Sequence, residues 1–132
     1  MKGLIVEDSK IMIQVLTKLI HTVSFEANGK HDEVLHANNI LFALNLLSKN
    51  HFDYIFLDLN LRDDIKSQNR HDGLRILEHV RESKNMLPVF IVTGDSNINT
   101  VKNALQYKPT DYLVKPITKI IVKRCFEKIT AP

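Results

Sequence analysis

Apolar and polar positions along this chain follow two different rhythms. Unbroken apolar runs recur at residues 3–6, 54–57, 89–92 and 112–114, the pattern of short strands buried on both faces. Between them apolar residues fall three and four apart, the pattern of amphipathic helices. After the first run, Ser9 is a suitable N-cap, and Ile11, Met12, Val15, Leu16, Leu19, Ile20 and Val23 form one helical stripe. Residues 26–32 read as a loop, residues 34–37 as a short second strand, and Asn38 and Asn39 offer a cap for a helix over residues 40–50. Residues 62–72 are polar and read as a long loop. Residues 73–83 are amphipathic again, with Leu74, Leu77 and Val80 on one side and Arg75, Glu78 and Glu82 on the other. Pro88 opens the fourth strand, a place that proline tolerates. Ser96 or Asn97 caps a helix holding Ile98, Val101, Ala104 and Leu105, which Lys108 and Pro109 break. Thr118 starts a last helix that runs to about residue 129.

The order is β then α, five times over. Strands alternating with helices predict an α/β fold: a doubly wound, five-stranded parallel sheet with helices on both faces, the (βα)5 flavodoxin-like arrangement. Right-handed crossovers leave few topologies for it.

Composition narrows the picture without changing it. The chain has 132 residues, 44% hydrophobic and 25% charged, ordinary values for one globular domain, so residues 1–132 are read as a single domain. It has no apolar run near the roughly 18 residues of a membrane span, and the amino terminus turns acidic too soon for a secretory signal. Cys125 is the sole cysteine, which excludes an internal disulfide and fits a reducing, cytoplasmic setting. The net charge of +3 is small. Lys115, Lys119, Lys123, Arg124 and Lys128 are read as a solvated helix face, since nucleic-acid binding calls for a denser basic patch with interleaved aromatics. The histidines show no metal-ligand spacing.

The informative polar residues stand where strands end. In an open parallel sheet, ligands bind at the carboxyl ends of the strands. There the sequence places Glu7 and Asp8, then Asp58, then Thr93, then Lys115. Each has an ordinary explanation alone: a helix-start charge, a strand terminator, a turn residue, a surface lysine. Together they suit one chemistry. Clustered carboxylates repel unless a divalent cation joins them, and hard oxygen ligands favour magnesium. A lysine and a hydroxyl beside them stabilise charge on a transferring phosphoryl group. A central carboxylate can be its nucleophilic acceptor.

With Glu7 and Asp8 after strand one, Asp58 after strand three, Thr93 and Gly94 after strand four, and Tyr112, Leu113, Val114, Lys115 and Pro116 at strand five, the chain resembles the receiver domain of two-component response regulators. The resemblance runs from Leu4 to about Ile129. It implies that Asp58 accepts the phosphoryl group. Asp8 and Asp58 would bind Mg2+ by carboxylates, Asn60 by its backbone carbonyl, and Glu7 mostly through water. Thr93 and Lys115 would contact the phosphoryl oxygens, and Tyr112 would be the aromatic switch. Gly94 would leave room for the phosphodonor, and Asn60 and Asp95 would influence hydrolysis. The Lys115-Pro116 bond would be cis.

The implied donor is a histidine kinase or histidine phosphotransfer protein, and the implied recipient is a protein effector. No direct nucleic-acid or membrane contact is implied. A homodimer through the surface of the fourth helix, fifth strand and fifth helix is a further contact the resemblance allows, with Ile98, Val101 and Tyr112 on it. With no output domain after the last helix, a stand-alone, chemotaxis-regulator-like receiver is expected, a piece of a longer regulator being the alternative.

Three departures stand out. Arg62 replaces the family's usual proline, and the chain takes 15 residues from Asp58 to Gly73, about twice the usual length, an insertion that costs little. Asp63, Asp64, Arg70 and His71 are therefore placed over the site or on an inert surface loop. Lys108 and Pro109 replace a common Gly-Ala before strand five. Two other readings remain: a degenerate receiver that binds partners without phosphorylation, and a haloacid-dehalogenase-like phosphatase. Asn60 stands where the latter needs its second acid. A flavin protein of the same architecture needs a phosphate-cradling loop where Glu7 and Asp8 stand.

Overall fold

A computed structural model of the chain describes residues 1–59, 61, 73–83, 86–94 and 98–130, the side chains of 98–101 and 130 excepted. The element order is β1 (Lys2–Val6), α1 (Lys10–Asn28), β2 (Glu33–Ala37), α2 (Ile40–Lys49), β3 (Tyr54–Asp58), α3 (Gly73–Glu82), β4 (Val89–Thr93), α4 (Ile98–Leu105), β5 (Asp111–Val114) and α5 (Lys119–Thr130). The strands are all parallel, in the order β2-β1-β3-β4-β5. This is the doubly wound (βα)5 arrangement that the alternating pattern predicts. No described helix is long and apolar enough to cross a membrane.

The unbroken apolar runs turn out to serve two cores at once. Side chains alternate across a strand, so Leu4, Val6, Ile55, Leu57, Val89 and Ile91 line one core, with Ile40, Ala43, Ile76, Leu77, Val80 and Ala104 from α2, α3 and α4. The residues between them, Ile5, Tyr54, Phe56, Phe90, Val92 and Leu113, line the other, with Leu16, Ile20, Val122 and Phe126 from α1 and α5. A strand with helices on both sides has no polar face, which is why the sequence shows runs there instead of alternation.

Two sequence expectations need correction on α1. The helix continues through residues 26–28 and ends at Gly29, whose φ of 74° and amide bond to the Phe25 carbonyl at 2.8 Å form the C-cap. Residues 26–32 are therefore only partly loop. The inward line is Ile13, Leu16, Ile20 and Val23, while Ile11 and Val15 are 75% and 40% exposed. Helical spacing alone admits either line, and the sheet selects one. Other helix starts agree with expectation: Ser9 Oγ accepts from the Met12 amide at 3.2 Å, and Asn39 Oδ1 from the Phe42 amide at 2.8 Å.

The amino-terminal edge of the sheet is tied by a buried polar network. Asp32 accepts from the Tyr54 hydroxyl at 2.8 Å and the Met1 ammonium at 3.0 Å, and its own amide donates to Ser24 Oγ at 3.0 Å. The Tyr54 ring lies against Gly3, where a Cβ would sit 2.2 Å from a ring carbon. The ring is fully buried and held at its hydroxyl, so it has little freedom to yield. Gly3→Ala is expected to destabilise the fold by about 2 kcal/mol through overpacking. Urea denaturation measures this, and a change below about 0.5 kcal/mol would refute the steric constraint.

Candidate functional site

Parallel pairing brings the carboxyl ends of β1, β3, β4 and β5 to one edge. Val6 pairs with Leu57, Asp58 with Val92, and Thr93 with Val114. The residues that end or follow these strands, Glu7, Asp58, Thr93 and Lys115, are therefore neighbours. The Lys115 amide donates to the Thr93 carbonyl at 2.8 Å, extending the ladder to the site itself. On the far side the Glu7 amide donates to the Ala37 carbonyl at 3.0 Å.

Glu7, Asp8 and Asp58 each place a carboxylate oxygen within 4.8 Å of the others, the metal-capable cluster found among the described residues. Lys115 Nζ stands 3.5 Å from Glu7 Oε2 and 3.9 Å from Asp58 Oδ2. Three carboxylates against one ammonium leave net negative charge when all are ionised. Glu7, Asp58 and Thr93 are 1%, 4% and 0% exposed, whereas Asp8 faces solvent. Burial, and next the negative charge of Asp58, push the Glu7 carboxyl up to about 7, against the pull of Lys115 and the Ser9 amide at 3.1 Å. Held like this, Glu7 resists giving up its proton beside the Asp58 carboxylate. Closely spaced hard oxygens with a charge deficit are the donor set a magnesium ion suits.

The remaining expected residues fall into three groups. Tyr112 is half-buried on β5, beside Ile91 in register and against the core that α2, α3 and α4 cover. The Lys115-Pro116 bond is cis. Gly94 follows Thr93, and a Cβ built there would meet no atom within 4 Å. Asn60, Asp95 and the segment 62–72 lie outside the described residues, as do the side chains of Ile98 and Val101. Of the basic residues near the carboxyl end, Lys115 belongs to the site. Lys119 pairs with Glu26 at 2.6 Å and Lys128 with Asp111 at 2.5 Å.

Sequence reasoning passed over one residue of the site. Gly73 starts α3 directly against the end of β3, donating its amide to the Leu59 carbonyl at 3.3 Å. A Cβ there would lie 2.3 Å from the Asp58 carbonyl oxygen and 2.7 Å from Leu59 Cα. Both are backbone atoms, so neither can rotate away. A glycine opening an amphipathic helix was the only signal, and it does not say what approaches.

Residues 4–124 match the family model described as the response regulator receiver domain. The chemotaxis protein CheY-3 of Vibrio cholerae is 28% identical over 98% of this chain and 91% of its own length. The transcriptional regulatory protein LytR of Staphylococcus aureus is 27% identical over 99% of this chain but 48% of its own length; the chain spans about half of that relative. Among solved structures, a CheY-like receiver domain from Methanospirillum hungatei superposes with a TM-score of 0.79 at 20% identity, covering 97% of this chain and 92% of that one. A two-component response regulator from Clostridium difficile gives 0.76 at 25% identity, covering 97% and 93%.

Two expectations follow from the geometry. Gly73→Ala should cost about 3 kcal/mol or displace the Asp58 backbone; urea denaturation measures the first and amide shifts at Asp58 and Leu59 the second, and the absence of both changes would refute the close approach. Glu7 holds its proton more tightly folded than unfolded, so the folded chain binds more protons between pH about 4.5 and about 7. Its contribution to stability therefore falls as pH rises through that window. In chelator, Glu7→Gln should be more stable than wild type at pH 8 by on the order of 2 kcal/mol and lose that advantage at pH 4.5. Denaturation at the two pH values decides it, an equal difference at both counting against the assignment.

Proposed function

The chain belongs to the response regulator receiver domain family, and from that premise we propose that it is a phospho-accepting signalling switch with Asp58 as the acceptor. The observation that carries this reading is the setting of Asp58: buried at the end of β3, 3.9 Å from Lys115 Nζ, and clustered with Glu7 and Asp8. A carboxylate so placed is costly unless its charge is used.

An Asp58 oxygen attacks the phosphorus of a phosphohistidine on a kinase or phosphotransfer partner. The phosphorus–nitrogen bond breaks, and the imidazole leaves with its electron pair, taking a proton from solvent. Asp8 and Asp58 would hold Mg2+ by carboxylates and Glu7 mostly through water, with the Asn60 carbonyl completing the set. When bound, the ion neutralises charge on the phosphoryl oxygens. Lys115 moves from its carboxylate partners to a phosphoryl oxygen, and the buried Thr93 hydroxyl donates to another. Water later attacks phosphorus, releases inorganic phosphate and returns Asp58 to its free form. Asn60 and Asp95 would set that rate.

Drawing Thr93 toward the phosphoryl group opens space beside Tyr112, whose ring turns inward. The ligand shifts a pre-existing equilibrium only by its differential interaction with the two states. The output is a changed surface on α4, β5 and α5 for a protein effector or a second copy of the chain. LytR is a transcriptional regulatory protein and CheY-3 a chemotaxis protein, two different outputs. One cytoplasmic receiver domain, residues 1–132, is the unit this reading assigns.

With magnesium and acetyl phosphate, the intact mass should rise by one phosphoryl group. Chelator or Asp58→Asn should abolish the gain, and Lys115→Met should slow it about 100-fold. No gain in wild type, or gain retained in Asp58→Asn, would overturn the reading. Multiple turnover of a phosphate ester would favour a phosphatase instead.

A further inference from the structure

One guanidinium far from the acceptor makes three bonds to backbone. Arg81, in the last turn of α3, donates from Nε to the Tyr107 carbonyl at 3.0 Å, from Nη1 to the Leu87 carbonyl at 2.9 Å, and from Nη2 to the Lys108 carbonyl at 3.0 Å. These carbonyls belong to the entry of β4 and to the turn between α4 and β5. A planar fork with five donors suits such a junction, and lysine does not reproduce it. Half-burial lowers the pKa of the group from its usual range and leaves it charged, which strengthens each bond.

The turn it grips is unusual. Lys108 has φ of 51°, the sole positive φ among described non-glycine residues. The left-handed region is disfavoured for a residue with a Cβ, and glycine normally fills this place after a helix. The Lys108 amide donates to the Leu105 carbonyl at 3.0 Å and the Tyr107 amide to Ala104 at 3.1 Å, closing α4. Directly afterwards the start of β5 is locked to β4. The Thr110 amide donates to the Val89 carbonyl at 2.8 Å, and Thr110 Oγ1 accepts from the Val89 amide at 3.1 Å. Tyr112 lies two residues on. At its other end α3 rests, through Gly73, on the backbone of Asp58 and Leu59.

We propose that Arg81 is a positioning residue: it clasps the α4–β5 turn in its strained left-handed form, so that α3 joins the backbone of Asp58 to the start of β5. The turn is the bistable element, held by the clasp and opposed by the strain at Lys108. This deepens the switch reading and rests on it. It adds a route from Asp58 to β5 that does not pass through Thr93.

The test compares wild type, Arg81→Met, Lys108→Gly and the double variant, each as the full chain. Arg81→Met should lower the thermal midpoint by about 5 °C or more, and Lys108→Gly should raise it. In the Lys108→Gly background the loss of Arg81 should cost less than half as much, because the strain it restrains is gone. Equal losses in both backgrounds overturn the clasp. With magnesium and beryllofluoride, Arg81→Met should keep wild-type affinity within about twofold, yet lose at least half the amide shift change at residues 107–112. Wild-type changes at those residues in Arg81→Met overturn the coupling. A wild-type chain without any magnesium-dependent change at Asp58 removes the switch reading instead, and the thermal comparison still decides the clasp.

Discussion

Carboxylate oxygens of Glu7, Asp8 and Asp58 lie within 4.8 Å of one another, at the rim of strands that carry nothing else polar in their interiors. Glu7 and Asp58 are almost fully removed from water, so their mutual repulsion is weakly screened. Lys115 relieves part of it and the raised proton affinity of Glu7 relieves more. What remains is a site that gains from any cation or from a group that draws on the negative charge. The sheet register, the glycine contacts and the position of Lys115 all serve to hold this crowding in place.

Holding it requires a frame that does not yield. Residues on β1, β3 and β4 belong alternately to two apolar cores, so a displacement at any strand end must disturb packing on both faces, and close-packed interiors resist that. Gly73 brings the backbone of α3 against Asp58 itself. Asp32, Tyr54 and Gly3 fix the opposite edge of the same strands. Asp58 is thereby held at the end of a strand packed on both faces.

The less completely buried part of the frame lies on the β5 side. Tyr112 is half-buried, and the turn before it contains a left-handed lysine where glycine is common. The Arg81 guanidinium donates to two carbonyls of that turn and to the Leu87 carbonyl at the entry of β4. A fully buried Asp58 strand and a less buried β5 are the contrast a switch needs, since a uniformly stiff fold has no second state and a uniformly soft one carries no signal.

Much of this was legible in the chain alone. Four apolar runs and a short second strand alternating with helical stripes specify a parallel sheet, because helices on both sides bury both faces of such short strands. Polar residues interrupting those runs at their carboxyl ends name the candidate site, because buried charge there needs a use. Which stripe of α1 faces inward was not legible, since Ile13 and Ile11 satisfy the same periodicity and only the sheet beneath distinguishes them. Nor were Gly73 and Arg81. Their partners lie on other elements, many residues away in sequence for the α4–β5 turn, and a backbone carbonyl leaves no mark on residue identity. The sequence by itself determined which residues carry charge and where each strand ends. Tertiary structure alone decided which charges share burial, which glycine is obligatory and which arginine binds the turn, because distance and desolvation exist only once the strands are side by side.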